Sequence, residues 1–257
     1  MTAFLMLIYA VASYACFLAA FLYSIGFVGN LPLPLTIDHG APAPIGEAIV
    51  VDTLLLAVFA LQHSVMARQG FKRWWTRIVP RPIERSTYVL AASAALALLL
   101  WQWRPIVEPT IWHVDDGFVA AALEVVFWSG WGVVLISTFL INHFELFGLR
   151  QVWARMRGKD LPAPEFRTPL FYRYVRHPLY LGFLLAFWAA PTMSAGHLLF
   201  SLATTGYVLV GIWFEERDLV DLFGRRYVRY REAVSMLLPR RPKPHISDPA
   251  PWDGDRA

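Results

Sequence analysis

The chain contains one cysteine, Cys16, in 257 residues. A single thiol excludes an internal disulfide, an iron–sulfur cluster and a cysteine-based zinc site. Charge is also scarce: Asp, Glu, Lys and Arg make up 16% of the chain, against about 25% in a soluble domain. No repeat recurs at a fixed period. No inverted pair of Gly/Pro-broken helices occupies corresponding halves, which argues against a secondary transporter. What is abundant is apolar. The hydrophobic set reaches 57% and the mean hydropathy is +0.45, values that exclude a disordered or fibrous chain and point to a polytopic, all-α integral membrane protein. Composition leaves open a channel, a transporter, a cofactor carrier or an enzyme.

Six spans are expected. Apolar runs cover about 3–28, 45–66, 88–103 and 118–141, and a polar stretch of roughly 35 residues follows. The next run, about 179–214, is too long for one span of about 20 residues. Pro191-Thr-Met-Ser-Ala-Gly196 breaks it near the middle, so it reads as a tight hairpin of two short spans. No lysine or arginine precedes the first run, and no small-residue cleavage site with polar sequence follows it. It is therefore read as a retained helix rather than a signal peptide.

The formal net charge of +4 conceals two opposite surfaces. The segments 67–86, 143–178 and 215–257 hold 22 of the 23 Lys and Arg residues. Only Arg104 lies in the other loops, which carry Asp38, Glu47, Asp52, Glu108, Asp115 and Asp116. Basic residues collect in cytoplasmic loops, so both termini and the three basic segments are expected on the cytoplasmic side of a bacterial inner membrane. The basic excess reports topology and calls for no nucleic-acid partner. The sequence sets no oligomeric state. The tail 245–257, rich in Pro and Asp, is expected to be disordered.

Four expected spans carry polar residues to their cytoplasmic ends. Gln62-His63-Ser64 closes the second. Asn142-His143 closes the fourth, with Glu145 just beyond. Arg176-His177-Pro178 opens the fifth, with Tyr180 one turn inside, and Glu215-Glu216 closes the sixth. Ionisable groups within spans are costly, and several on one leaflet suggest a polar pocket open to the cytosol. Each also has a plain reading. His63 and His143 can be hydrogen-bonded structural residues, Arg176-His177 an entry turn before Pro178, and Glu215-Glu216 a solvated helix end.

Arg176-His177-Pro178-Leu179-Tyr180-Leu181-Gly182, an apolar hairpin, then Glu215-Glu216 resembles the signature of the isoprenylcysteine carboxyl methyltransferase superfamily of membrane methyltransferases. Phe223-Gly224, Tyr227, Tyr230 and Val234, followed by Pro239, resemble its amphipathic C-terminal helix. Further upstream, Leu61-Gln62-His63-Ser64, Glu84-Arg85-Ser86-Thr87-Tyr88 and the stretch Asn142-His143-Phe144-Glu145-Leu146-Phe147-Gly148-Leu149 are similar to the bacterial methanethiol S-methyltransferases, which make dimethyl sulfide. A sister group of membrane proteins linked to nitric-oxide metabolism shares some of this region.

The resemblance implies S-adenosylmethionine as methyl donor. No Gly-rich loop follows a strand, so the donor is expected in a membrane-edge pocket formed by 143–244, with the helices of 1–142 making a small apolar chamber for a thiol. On that implication Arg176 and His177 face the donor's carboxylate. Glu215 or Glu216 holds its ammonium, and Tyr180 and Tyr230 line adenine and ribose. Leu181 belongs to the same stretch, and Gly182 lets the backbone approach closely. A thiol reacts as thiolate, so a proton acceptor is expected among His63, His143 and Glu145, with Arg85 as helper. Competing readings change the acceptor to a prenylcysteine carboxylate or a phospholipid amine, make His63 and His143 haem ligands, or make the chain a non-catalytic regulator.

Overall fold

The computed structural model describes residues 2–242; the tail expected to be disordered lies outside the described residues. Helix α1 (Ala3–Val28) starts at Thr2, whose side chain accepts from the Leu5 amide at 3.4 Å. Helix α2 (Ile45–Ala67) returns, and the short α3 (Gln69–Trp75) leads into α4 (Arg81–Gln102). The apolar run predicted α4 from about residue 88. Instead it begins seven residues earlier, because Pro82 sits in its first turn and polar residues extend the helix beyond its apolar part. Helix α5 (Gly117–Ile141) is capped by Asp116 through the Val119 amide, and α6 (His143–Leu146) and α7 (Leu149–Met156) follow.

The hairpin breaks where the sequence places the break, but its arms are unequal. Helix α8 (Pro178–Trp188) has 11 residues and α9 (Ala195–Phe223) has 29. At about 1.5 Å per residue α8 is about 16 Å long, roughly half of a hydrocarbon core of about 30 Å. Among the described residues five helices are long and apolar enough to cross a membrane, α1, α2, α4, α5 and α9, whereas the sequence reading gave six spans, the last two of them short. The difference is α8. Its carbonyl end is satisfied from α9: the Phe187 carbonyl accepts from Ser201 Oγ at 2.8 Å and from His197 Nε2 at 2.9 Å. Beyond it a two-stranded ribbon, β1 (Thr110–His113) against β2 (Thr192–Ser194), pairs the extended backbone. Trp112 Nε1 adds a bond to the Ala190 carbonyl at 3.0 Å. Backbone that leaves helical geometry in a buried setting needs such partners. The ribbon is an addition to the all-α expectation; strands of four and three residues leave no usable period in a sequence.

The core is uneven along the bundle. At the acidic end one aromatic cluster unites Phe27, Leu99, Trp103, Phe127, Trp131 and Phe187. Asp38, on the loop after α1, accepts from Asn30 Nδ2 at 2.6 Å and from the Ser194 hydroxyl, tying that loop to the hairpin tip. At the basic end the core divides into small clusters, such as Ala10–Ile83–Val152 and Tyr88–Val89–Phe147, with the polar residues between them. Helix α10 (Arg225–Ala233) closes this end, packing Tyr227 and Tyr230 on Phe166, Leu219 and Phe223.

Candidate active site

Glu216, near the end of α9, is the hub of the site. Its Oε1 accepts from Arg176 Nε at 2.8 Å and from His177 Nε2 at 3.1 Å, and Arg231 approaches Oε2 at 4.0 Å. Arg176 also donates Nη1 to the carbonyls of Arg231 and Val234, at 2.8 and 2.6 Å. The strand-like exit of α10 then runs beside the entry to α8, where the amides of Arg176 and His177 bond to the carbonyls of Ser235 and Met236. Three segments distant in sequence meet in this way at one carboxylate. The side chains of Arg176, His177 and Glu216 are 11%, 3% and 14% exposed, and the Arg176 and Glu216 charges balance one another locally.

Glu215 differs. Its side chain is 43% exposed, and its Oε2 faces His177 Nδ1 at 3.9 Å. The Tyr180 hydroxyl lies beside it, and the Tyr180 ring is 5.8 Å from that of His177. Tyr180 reaches across to α9 at Gly211, where an added Cβ would lie 3.8 Å from its hydroxyl. Tyr172, on a 3-10 turn (Leu170–Arg173), also borders Glu215; burial first, then that carboxylate, pushes its phenol up and keeps it protonated. An open acid beside a histidine and two tyrosines, with an arginine one residue away, offers both signs of charge and aromatic walls. That donor set matches a zwitterionic amino-acid head carrying an aromatic base.

Two residues expected at the donor site serve elsewhere. Gly182 does permit a close backbone approach, but to Gly130 of α5. A Cβ on Gly182 would lie 2.7 Å from the Gly130 carbonyl oxygen and 2.9 Å from the Val134 amide nitrogen. Tyr230 donates its hydroxyl to the Tyr172 carbonyl at 2.6 Å and is buried under Phe166. Leu181 is half-buried on α8, where its amide bonds to the His177 carbonyl at 3.0 Å.

The expected proton acceptors separate into two groups. His63 of α2 bonds through Nε2 to the Tyr88 hydroxyl of α4 at 2.7 Å. Its ring stacks on Phe59 and meets Tyr207 edge-on, and its Nδ1 is buried with no partner among the described residues. Tyr207 lies one turn before Gly211 on α9, the position that the Tyr180 hydroxyl approaches, so this group adjoins Glu215. Arg85 stands over the Tyr88 ring at 5.1 Å and donates Nε to the Leu146 carbonyl at 2.8 Å.

His143 belongs to the second group, between α1 and α5. Its Nε2 bonds to the Tyr14 hydroxyl and its Nδ1 to Thr138 Oγ1, both at 2.8 Å. The Thr138 hydroxyl already donates to the Leu135 carbonyl, so Nδ1 donates to Thr138 and Tyr14 donates to Nε2. Both nitrogens are engaged, which leaves neither for a thiol proton nor for a haem iron. Glu145 forms an ion pair with Arg150 at 2.7 Å and accepts from Asn142 at 2.9 Å, beside an open groove lined by Leu7, Phe144 and Trp153.

Burial holds the His143 imidazole below its usual pKa of about 6.5. The unfolded chain takes up a proton that the fold refuses, so this stabilisation is complete above about pH 6.5 and declines as pH falls. Thermal unfolding in detergent is expected to occur at lower temperature at about pH 5.5 than at about pH 7.5. His143→Gln should flatten that slope and cost about 1–2 kcal/mol at the higher pH.

The sequence reading missed Tyr88, Tyr172 and Tyr207 as members of the site. A tyrosine in an apolar run reads as packing or as an interface anchor, and only its hydroxyl partner reveals more.

No family model matches the chain, and no solved structure does. The methanethiol S-methyltransferase of Mycobacterium tuberculosis is 59% identical, over 93% of this chain and 98% of that protein. The methanethiol S-methyltransferase of Pseudomonas deceptionensis is 52% identical, over 91% of this chain and 88% of that protein. Nurim of Bos taurus is 28% identical, over 76% and 74%. Identity above 50% over nine-tenths of the chain is shared with both enzymes, and the chain belongs to the methanethiol S-methyltransferase family.

Proposed function

We propose that the chain methylates methanethiol to dimethyl sulfide, with S-adenosylmethionine as donor, at the basic and cytosolic end of the bundle. The observation that carries this reading is the contrast between the two acids. Glu216 is neutralised inside the fold, and Glu215 is left open toward two tyrosines beside the group that contains His63. When bound, the donor supplies a methyl group on a cationic sulfur. Glu215 would hold its ammonium, Arg176 and His177 its carboxylate, and Tyr172 and Tyr180 its adenosine.

The chain's own residues then align the thiol behind the methyl group and exclude water. His63 takes the thiol proton on Nδ1. The electron pair left on the thiol sulfur forms the new carbon–sulfur bond, and the pair of the bond that breaks departs with the demethylated donor. The proton afterwards returns to water at the basic end. The lipid bilayer surrounds the bundle, and a small uncharged thiol can enter from it.

Headspace dimethyl sulfide above cells of a strain lacking its own activity, supplied with methanethiol, tests the reading. Expression of the chain should raise it far above background, and His63→Ala should remove about 99% of that signal near neutral pH. Background levels from the unaltered chain would refute the assignment.

A further inference from the structure

We infer that Tyr88 is the positioning residue of the proton acceptor. Its oxygen accepts Nε2–H of His63, which leaves the His63 lone pair on Nδ1, the nitrogen without a partner among the described residues. The inference rests on the reading of His63 as proton acceptor and deepens it.

The geometry is specific. The Tyr88 hydroxyl and His63 Nε2 are 2.7 Å apart, and they join α4 to α2 over 25 residues of sequence. Tyr88 is 7% exposed, so water does not compete for this bond. Phe59 lies against one face of the His63 ring at a centroid distance of 5.5 Å, and Tyr207 meets its edge at 6.3 Å. The ring plane is therefore held by packing, and what remains to be fixed is the proton.

A neutral imidazole has one N–H and one lone pair, and the partner of one nitrogen decides the state of the other. Nδ1 is buried without a partner among the described residues. An orphaned buried N–H is rare, and an orphaned acceptor is tolerated more often. The favoured tautomer is therefore Nε2–H donating to Tyr88, with the lone pair on Nδ1. The Tyr88 hydroxyl proton can rotate about its C–O bond away from His63, a freedom that an imidazole N–H fixed in the ring plane lacks. Arg85, over the Tyr88 ring, fixes the ring face and is itself tied to α6 through Leu146. None of these groups needs to touch the thiol for Tyr88 to set which nitrogen receives its proton.

A pair of acceptors of equal length and different acidity tests this: ethanethiol, and 2,2,2-trifluoroethanethiol, which ionises far more readily. A thiol that is already ionised needs no proton acceptor. The protein is Tyr88→Phe in detergent, with donor binding measured by calorimetry to report the fold. The expected result is a fall in kcat for ethanethiol at least tenfold larger than the fall for the fluorinated thiol, with the ethanethiol rate recovering as pH rises. An equal fall for both thiols, or no fall, overturns the inference. His63→Ala is run alongside. If it too shows no dependence on thiol acidity, the His63 reading has failed and the inference with it. If it shows the dependence and Tyr88→Phe does not, only the role of Tyr88 has failed. Should Tyr88→Phe lose donor binding, replacement of Tyr88 by 3-fluorotyrosine retains shape and hydrogen bond while changing phenol acidity. A shifted pH–rate profile for methanethiol then supports the inference, and an unshifted one overturns it.

Discussion

Glu216→Ala is expected to abolish donor binding and to destabilise the fold by about 3–5 kcal/mol, the range for breaking a buried ion pair from one side. The substitution strands Arg176, whose Nε loses its acceptor, and leaves the His177 Nε2–H without one. It also loosens the exit of α10, because Arg176 is the residue that holds the Arg231 and Val234 carbonyls. Glu215→Ala should behave differently. Its carboxylate is 43% exposed, so unfolding should shift by less than about 0.5 kcal/mol. Donor binding should still weaken by about tenfold or more, since a partly desolvated charged hydrogen bond is worth about 1.5–3 kcal/mol. Thermal unfolding and calorimetric titration with S-adenosylmethionine, run on both variants, separate the two roles. Equal stability loss in both would show that the adjacent acids share one function.

The second large effect is expected at the crossing of α5 and α8. Gly182→Val should prevent recovery of folded protein from membranes, and Gly182→Ala should cost about 2–3 kcal/mol. The reason is that the obstructing atoms are backbone. A Cβ on Gly182 meets the Gly130 carbonyl and the Val134 amide, and one on Gly130 meets the Ala186 nitrogen and the Gly182 carbonyl, both at 2.7 Å. No rotamer change relieves such contacts, and the two helices would have to separate. Close approach over small residues is how helices gain packing energy in lipid, where no hydrophobic force draws them together. Gly206 of α9 is the control. Nothing lies within 4 Å of its added Cβ, so Gly206→Ala should be neutral or slightly stabilising in thermal unfolding.

Long-range pairing marks where sequence reading stops. The bounds of α1, α2 and α5 follow from apolar runs ended by Gly29, Arg68 and Asn142, and they agree with the structure to within a residue or two. Pro191 and its neighbours likewise mark the hairpin break. The early start of α4 was not legible, because hydropathy records the apolar part of a helix and not its polar first turns. The site was legible as a set of residues at one end of the bundle, since ionisable groups at helix ends stand out against apolar sequence. Their roles were not. Glu215 and Glu216 are adjacent and chemically identical, and only the position of Arg176, 40 residues away, distinguishes them. His143 stood out as a polar residue, yet its partner Tyr14 is 129 residues distant on a helix whose sequence shows only an apolar run.

The brevity of α8 bears on how the protein is made. A segment of 11 residues is too short to enter a bilayer as an independent unit, and its Phe187 carbonyl takes its partners from α9. Those partners, His197 and Ser201, are synthesised after it, and the strand that pairs with its extended continuation is synthesised long before. The hairpin must therefore be inserted in one piece, onto a bundle already holding α5 and β1. A nascent chain released between Trp188 and His197 would expose uncapped carbonyls to lipid and become a target for membrane proteolysis.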